Sequence, residues 1–193
     1  GNTYYVINNI IVKNYYIING TVYDFGNDGI KKNDKISGLL EIGDKTYYVE
    51  DDNKIAVGNR VIGDTMYRFG EDGAKEDVKI NNEFVTVGGN TYYVINNIIV
   101  KNYYIINGTV YDFGDNGVKK DDKISGLLEI EDKTYYVEDD NKIAFGNRVI
   151  GDTMYRFGED GAKEDVTLNN EFVTVGGNTY YVINNIIVKN YYI

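Results

Sequence analysis

Twenty tyrosines, and no histidine, cysteine or tryptophan, set the chemistry open to this 193-residue chain. Without histidine, no side chain shuttles protons near neutral pH at its ordinary pKa. Without cysteine there is no thiolate nucleophile, disulfide or thiolate metal site. Asp and Glu together number 30, but paired carboxylates do acid–base work only in a pocket that raises one pKa. Nothing in a repetitive, polar sequence suggests such a pocket, so the chain reads as non-catalytic and without a cofactor. What the tyrosines can do is bind. They occur as pairs at Tyr4-Tyr5, Tyr47-Tyr48 and Tyr92-Tyr93. An outward ring can stack on a sugar or hold a quaternary amine by cation–π attraction of about 0.5–2 kcal/mol. The same ring is also a favoured cross-strand packing residue.

Other charges narrow the partners. A formal charge of −10 disfavours nucleic acid, whose affinity comes from Lys and Arg on phosphate, and anionic membrane surfaces. No apolar run approaches the roughly 18 residues of a membrane span. Acidic turns such as Glu50-Asp51-Asp52-Asn53 lack the spacing of known calcium loops and hold what tight turns need, so no metal site is expected. Lys31, Lys32, Lys54, Arg60 and Arg68 lie scattered among acids and read as solvated edge charges.

The elements that place the tyrosines come from repetition. Asn2 to Gly89 recurs as Asn90 to Gly177 with eight differences, and Asn178 to Ile193 begins a third copy. The whole chain, 1–193, therefore reads as one repeat array with blocks at 2–89, 90–177 and 178–193. It begins and ends inside a repeat, as a piece of a longer protein would. Each block contains four looser units, with key tyrosines at 4, 23, 47, 67 and 92, so the average unit is about 22 residues. Asn19-Gly20, Gly43-Asp44, Gly63-Asp64 and Gly88-Gly89 are two-residue hairpin loops, because these residues tolerate positive φ. Tyr16 should face Tyr23 across the first of them, and Asn81-Asn82 is a candidate for a further hairpin.

Strand alternation groups Ile18, Tyr23 and Phe25 on one face, with Tyr47 and Val49, Tyr67 and Phe69, and Tyr92 and Val94 in the later units. That face is apolar throughout and is expected to be the core. Val22, Met66, Tyr48 and Tyr93 fall on the other face, expected to meet solvent or ligand. The fold expected is all-β, a β-solenoid of tandem hairpins; the alternative is an elongated single-layer antiparallel meander. The solenoid is favoured because a flat layer would leave the apolar column wet.

The unit, an aliphatic residue, Asn-Gly, aromatics, then a short Asn/Asp/Gly turn and another aliphatic, resembles the cell-wall-binding repeats of Gram-positive surface proteins. Ile18 to Ile30 and Ile62 to Ala74 carry the likeness best. That family includes choline-binding modules and glucan-binding repeats. The resemblance implies ligands caged by aromatics between successive hairpins. Choline cages of the family use Trp, which this chain lacks.

The candidate ligand residues are Tyr5, Tyr48, Tyr93, Tyr136 and Tyr181, with Tyr15 and Tyr103 pointing away from the Tyr16–Tyr23 pair. The function expected is a secreted or cell-surface module that binds cell-wall polysaccharide or glucan multivalently; the alternative is a spacer or adhesin stalk without a ligand. Open solenoid ends suit end-to-end self-association.

Overall fold

The computed structural model describes residues 1–189; the end of the third block's start, 190–193, lies outside them. Every regular element described is a β-strand. The chain forms two compact units, Gly1–Ile99 and Val100–Ile193.

The first unit opens with β1 (Val6–Ile7) and β2 (Ile10–Ile11), joined through Asn8-Asn9. Hairpins follow in series: β3 (Tyr15–Ile18) with β4 (Thr21–Asp24), β5 (Gly38–Ile42) with β6 (Lys45–Val49), and β7 (Gly58–Ile62) with β8 (Thr65–Phe69). Then β9 (Glu83–Val87) pairs with β10 (Asn90–Ile95), which returns through β11 (Ile98–Ile99). The second unit repeats the series as β12 (Tyr103–Ile106), β13 (Thr109–Asp112), β14 (Gly126–Ile130), β15 (Lys133–Val137), β16 (Gly146–Ile150), β17 (Thr153–Phe157), β18 (Glu171–Val175), β19 (Asn178–Ile183) and β20 (Ile186–Ile187). The four expected hairpin loops are present. Asn19 and Gly20 take φ of 50° and 76°, the doubly positive pair a type I′ loop requires. Tyr16 faces Tyr23 as expected. Asn81-Asn82 is not a hairpin but a bend ahead of β9.

The flat meander is ruled out by how hairpins are stitched. After the β5–β6, β7–β8 and β9–β10 hairpins the chain turns and bonds to the second strand of the hairpin before. Val22 N donates to Asn53 O at 2.7 Å, Lys75 N to Thr46 O at 2.7 Å, and Met66 N to Asn97 O at 2.7 Å. The first three hairpins of each unit's series, from β3–β4 and from β12–β13, are thus closed by the turn after the next hairpin, which makes each unit a β-hairpin solenoid.

One asparagine does this work every 44 residues, at Asn53, Asn97, Asn141 and Asn185, each with φ near +64°. Its backbone carbonyl takes the stitching bond. Its side-chain oxygen accepts from the amide of the residue 17 positions earlier: Ile36 at 3.0 Å, Ile80 at 2.8 Å, Ile124 at 2.9 Å and Leu168 at 2.6 Å. Its amide nitrogen donates to the carbonyl two residues before that. The aliphatic residue so held is buried in every case, between 4% and 8% exposed.

The interior differs from the expected column in every other hairpin. Val22 and Met66, expected outward, are completely buried. Val22 packs with Ile36 and Val49, and its copy Val110 with Ile124 and Val137. Tyr23 and Tyr67, expected inside, are half-buried and lie beneath Lys31 and Lys75, 4.8 and 5.1 Å from the ring centroids. The expected pairing of residues on faces holds, but both faces of β4 and β8 are covered. One carries the aliphatic interior, and the other an aromatic layer in which Phe25 and Phe69 are buried. In the alternate hairpins Tyr47 and Val49, and Tyr92 and Val94, are interior as expected.

Candidate functional site

The turn after β6 brings Glu50 and Asp51 beside β7, whose third residue is Arg60. Ser37, just before β5, and Gly38, its first residue, line one side, and the β9–β10 hairpin supplies Val87 and Tyr92. Together with Tyr48 these residues line an open cleft of about 510 Å³. The second unit repeats it at about 460 Å³, lined by the copies Ser125, Gly126, Tyr136, Glu138, Asp139, Arg148, Val175 and Tyr180. The recurrence is a consequence of sequence: none of these lining positions is among the eight that differ between blocks.

Each wall has a cause. Tyr48 is half-buried because Phe69 backs it, with ring centroids 6.2 Å apart and planes at 34°. Tyr136 on Phe157 repeats this at 6.2 Å and 32°. Such tilted pairs fix a ring beyond what burial alone does. Gly38 takes φ of 96°, and a Cβ there would meet nothing within 4 Å, so this stretch of the lining is bare backbone. Arg60 Nε donates to Glu50 Oε1 at 3.0 Å, and Arg60 Nη2 lies 2.9 Å from the same oxygen. Arg60 Nη1 also donates to the carbonyls of Val57 and Asn59, each at 2.9 Å. The pair is therefore rigid, with its guanidinium held on three sides. Arg148 and Glu138 reproduce it at 3.0 Å.

The tyrosines expected to bind divide into groups. Tyr48 and Tyr136 line the two clefts. Tyr93 does not point outward as expected: it is 8% exposed and sits opposite Phe84 across the β9–β10 hairpin, at 4.9 Å between centroids. Covering by Phe84 overrides the simple alternation. Tyr181 packs the same way on Phe172, at 4.9 Å, and is half-buried. Tyr5, expected to share the setting of Tyr93, lies against Tyr16 and Phe25, at 5.8 and 6.1 Å. Tyr15 and Tyr103 are exposed opposite Asp24 and Asp112. Tyr103 also lines a separate cleft of about 380 Å³ with Tyr104, Glu129 and Glu131.

Sequence reading missed Tyr92, Tyr180, Gly38, Gly126 and both ion pairs as cleft residues. Arg60 read as a solvated charge, and its pairing depends on β7 returning beside the turn after β6. A pointer was present in the ten-residue step from Glu50 to Arg60, preserved from Glu138 to Arg148. Among the described residues, no group of three or more Asp, Glu, His or Cys is placed to hold a metal. No helix among them is long and apolar enough to cross a membrane.

These features define a tandem β-hairpin repeat protein with a recurring aromatic cleft. Among solved structures, the chain is similar to choline binding protein F from Streptococcus pneumoniae, with 19% identity and a TM-score of 0.37 over 96% of this chain and 61% of that one. It is similar to the modular autolysin LytC from the same organism, at 18% identity and a TM-score of 0.39, covering 93% of this chain and 40% of that one. It is also similar to the choline-binding domain of CbpL from Streptococcus pneumoniae, at 20% identity and a TM-score of 0.40, covering 94% and 100%. This chain thus spans less than two thirds of the length of the first two. No family model matches the sequence. No curated protein matches it in sequence.

Proposed function

We propose that this chain is a non-catalytic, extracellular repeat module that binds bacterial cell-wall or glucan-type carbohydrate at the cell surface, one saccharide segment per cleft. The observation that carries the reading is the duplicated cleft between Tyr48 and Tyr92, with a bare glycine in its lining and a rigid charged pair. An open groove with an aromatic wall and a few fixed polar groups suits a polymer that must pass through, rather than a small molecule to be enclosed. The ring of Tyr48 offers a face for the apolar side of a sugar, and Glu50 with Arg60 offers hydrogen bonds to its hydroxyls. Two copies on one chain add avidity when a single polymer spans both, through effective concentration.

The test is co-sedimentation with isolated Gram-positive walls and retention by soluble dextran. Y48A and Y136A singly should each weaken binding several-fold, and the double variant should weaken it further, with the fold retained by circular dichroism. Equal binding by the double variant and the parent would overturn the proposal. A parent chain that binds neither material would leave the spacer reading in its place.

A further inference from the structure

We propose, building on the cleft reading above, that the Glu50–Arg60 pair and its copy Glu138–Arg148 read a vicinal diol on a neutral sugar ring. The argument is an accounting of hydrogen bonds. A guanidinium has five N–H donors. Arg60 donates from Nε to a single carboxylate oxygen, Glu50 Oε1, with Nη2 2.9 Å from the same atom, and from Nη1 to the carbonyls of Val57 and Asn59. Nη2 keeps one N–H. Glu50 Oε2 accepts no hydrogen bond from the described residues. The second unit repeats the Nε and Nη1 bonds, with Arg148 Nε on Glu138 Oε1 at 3.0 Å and Nη1 on the carbonyls of Phe145 and Asn147. Both clefts therefore carry a carboxylate Oε2 and a guanidinium Nη2 with N–H to spare, on side chains held in place by the remaining bonds.

Neighbouring hydroxyls on a sugar ring answer that pattern. One hydroxyl donates to Oε2, and its neighbour accepts from Nη2–H, both as charge-assisted bonds. A quaternary amine has neither a donor nor an acceptor and leaves both atoms unanswered. A uronate or phosphate sugar would bring its charge against Glu50 and Asp51 on a chain of net charge −10. The pair thus selects neutral, unsubstituted hexose units with adjacent free hydroxyls.

The experiment measures binding of the full chain to dextran, to periodate-oxidised dextran, whose vicinal diols are cleaved, and to dextran with choline chloride as competitor. E50Q/E138Q keeps the oxygen facing Arg and replaces the open acceptor by an amide donor. It should bind dextran about tenfold more weakly than the parent, with unchanged thermal unfolding. Oxidised dextran should be bound weakly by the parent, and choline should not compete. If Y48A/Y136A loses dextran while E50Q/E138Q stays within twofold of the parent, the cleft reading stands and the diol assignment is overturned. Equal binding of intact and oxidised dextran, displacement by choline, or a parent that binds walls but not dextran would also overturn it.

Discussion

Replacing Asn97 by Ala should destabilise the first unit by about 2–5 kcal/mol, as two separable costs give. Asn97 holds φ of 66°, and moving a residue with a Cβ into that left-handed region costs about 1–2 kcal/mol, a penalty that Asn relieves through local hydrogen bonds. Its Oδ1 accepts from Ile80 N at 2.8 Å, and its Nδ2 donates to Val78 O at 3.0 Å. Ile80 is 4% exposed, so water does not readily replace that acceptor, and an unanswered buried amide costs about 1–3 kcal/mol. Asn97→Gly frees the backbone and removes the same bonds, so it should be milder than Asn97→Ala by about 1 kcal/mol. Guanidinium unfolding followed by tyrosine fluorescence reads both, since no tryptophan competes. Amide exchange at Ile80 should accelerate in both variants. An N97A chain within 0.5 kcal/mol of the parent, or an Ile80 amide as protected as before, would refute the reasoning.

Further predictions rest on other contacts. Gly73→Ala should cost about 2–4 kcal/mol, because φ is +76° and a Cβ would lie 2.4 Å from Ile55 Cδ1; thermal unfolding checks it. Glu131→Gly should stabilise the second unit by about 1 kcal/mol, since Glu131 holds φ of 49° where the first block has Gly43; denaturant midpoints check it. The Lys45 ammonium, chiefly through its hydrogen bond, holds the Asp72 carboxyl below the usual carboxylate range, and Lys133 does the same to Asp160. A depressed acid contributes stability above its unfolded pKa and loses it as pH falls, so both links should fade below about pH 4. Lys45 and Lys133 are raised by the same bonds, so their share should fade only above about pH 10. K45M/K133M should flatten the acid side of the stability–pH curve.

The hairpins were legible because Asn19-Gly20 and Gly88-Gly89 impose a backbone conformation locally, without help from distant chain. The register followed, as the facing of Tyr16 and Tyr23 shows. What alternation does not tell is which face becomes covered. Val22 lies inside because Ile36, fourteen residues on, is pinned over it by Asn53, and that pinning is a tertiary event. A cue was available: Lys follows Tyr by eight residues at 23/31, 67/75, 111/119 and 155/163, and each lysine caps its ring. Tyr93 was misplaced for the same reason, since the ring of Phe84 covers it. Within the cleft, Tyr48 and Tyr136 stood out as the second members of aromatic pairs. Glu50 and Arg60 did not, because a turn acid and a strand arginine ten residues apart look solvated until the fold joins them.

The most direct test of the central claim is an NMR titration of tyrosine-ring-labelled chain with soluble dextran, with assignments made by single Tyr→Phe changes. Binding in the duplicated cleft requires Tyr48, Tyr92, Tyr136 and Tyr180 to shift together with matching midpoints. Shifts confined to Tyr15 and Tyr103, or no saturable shift at any ring, would contradict it.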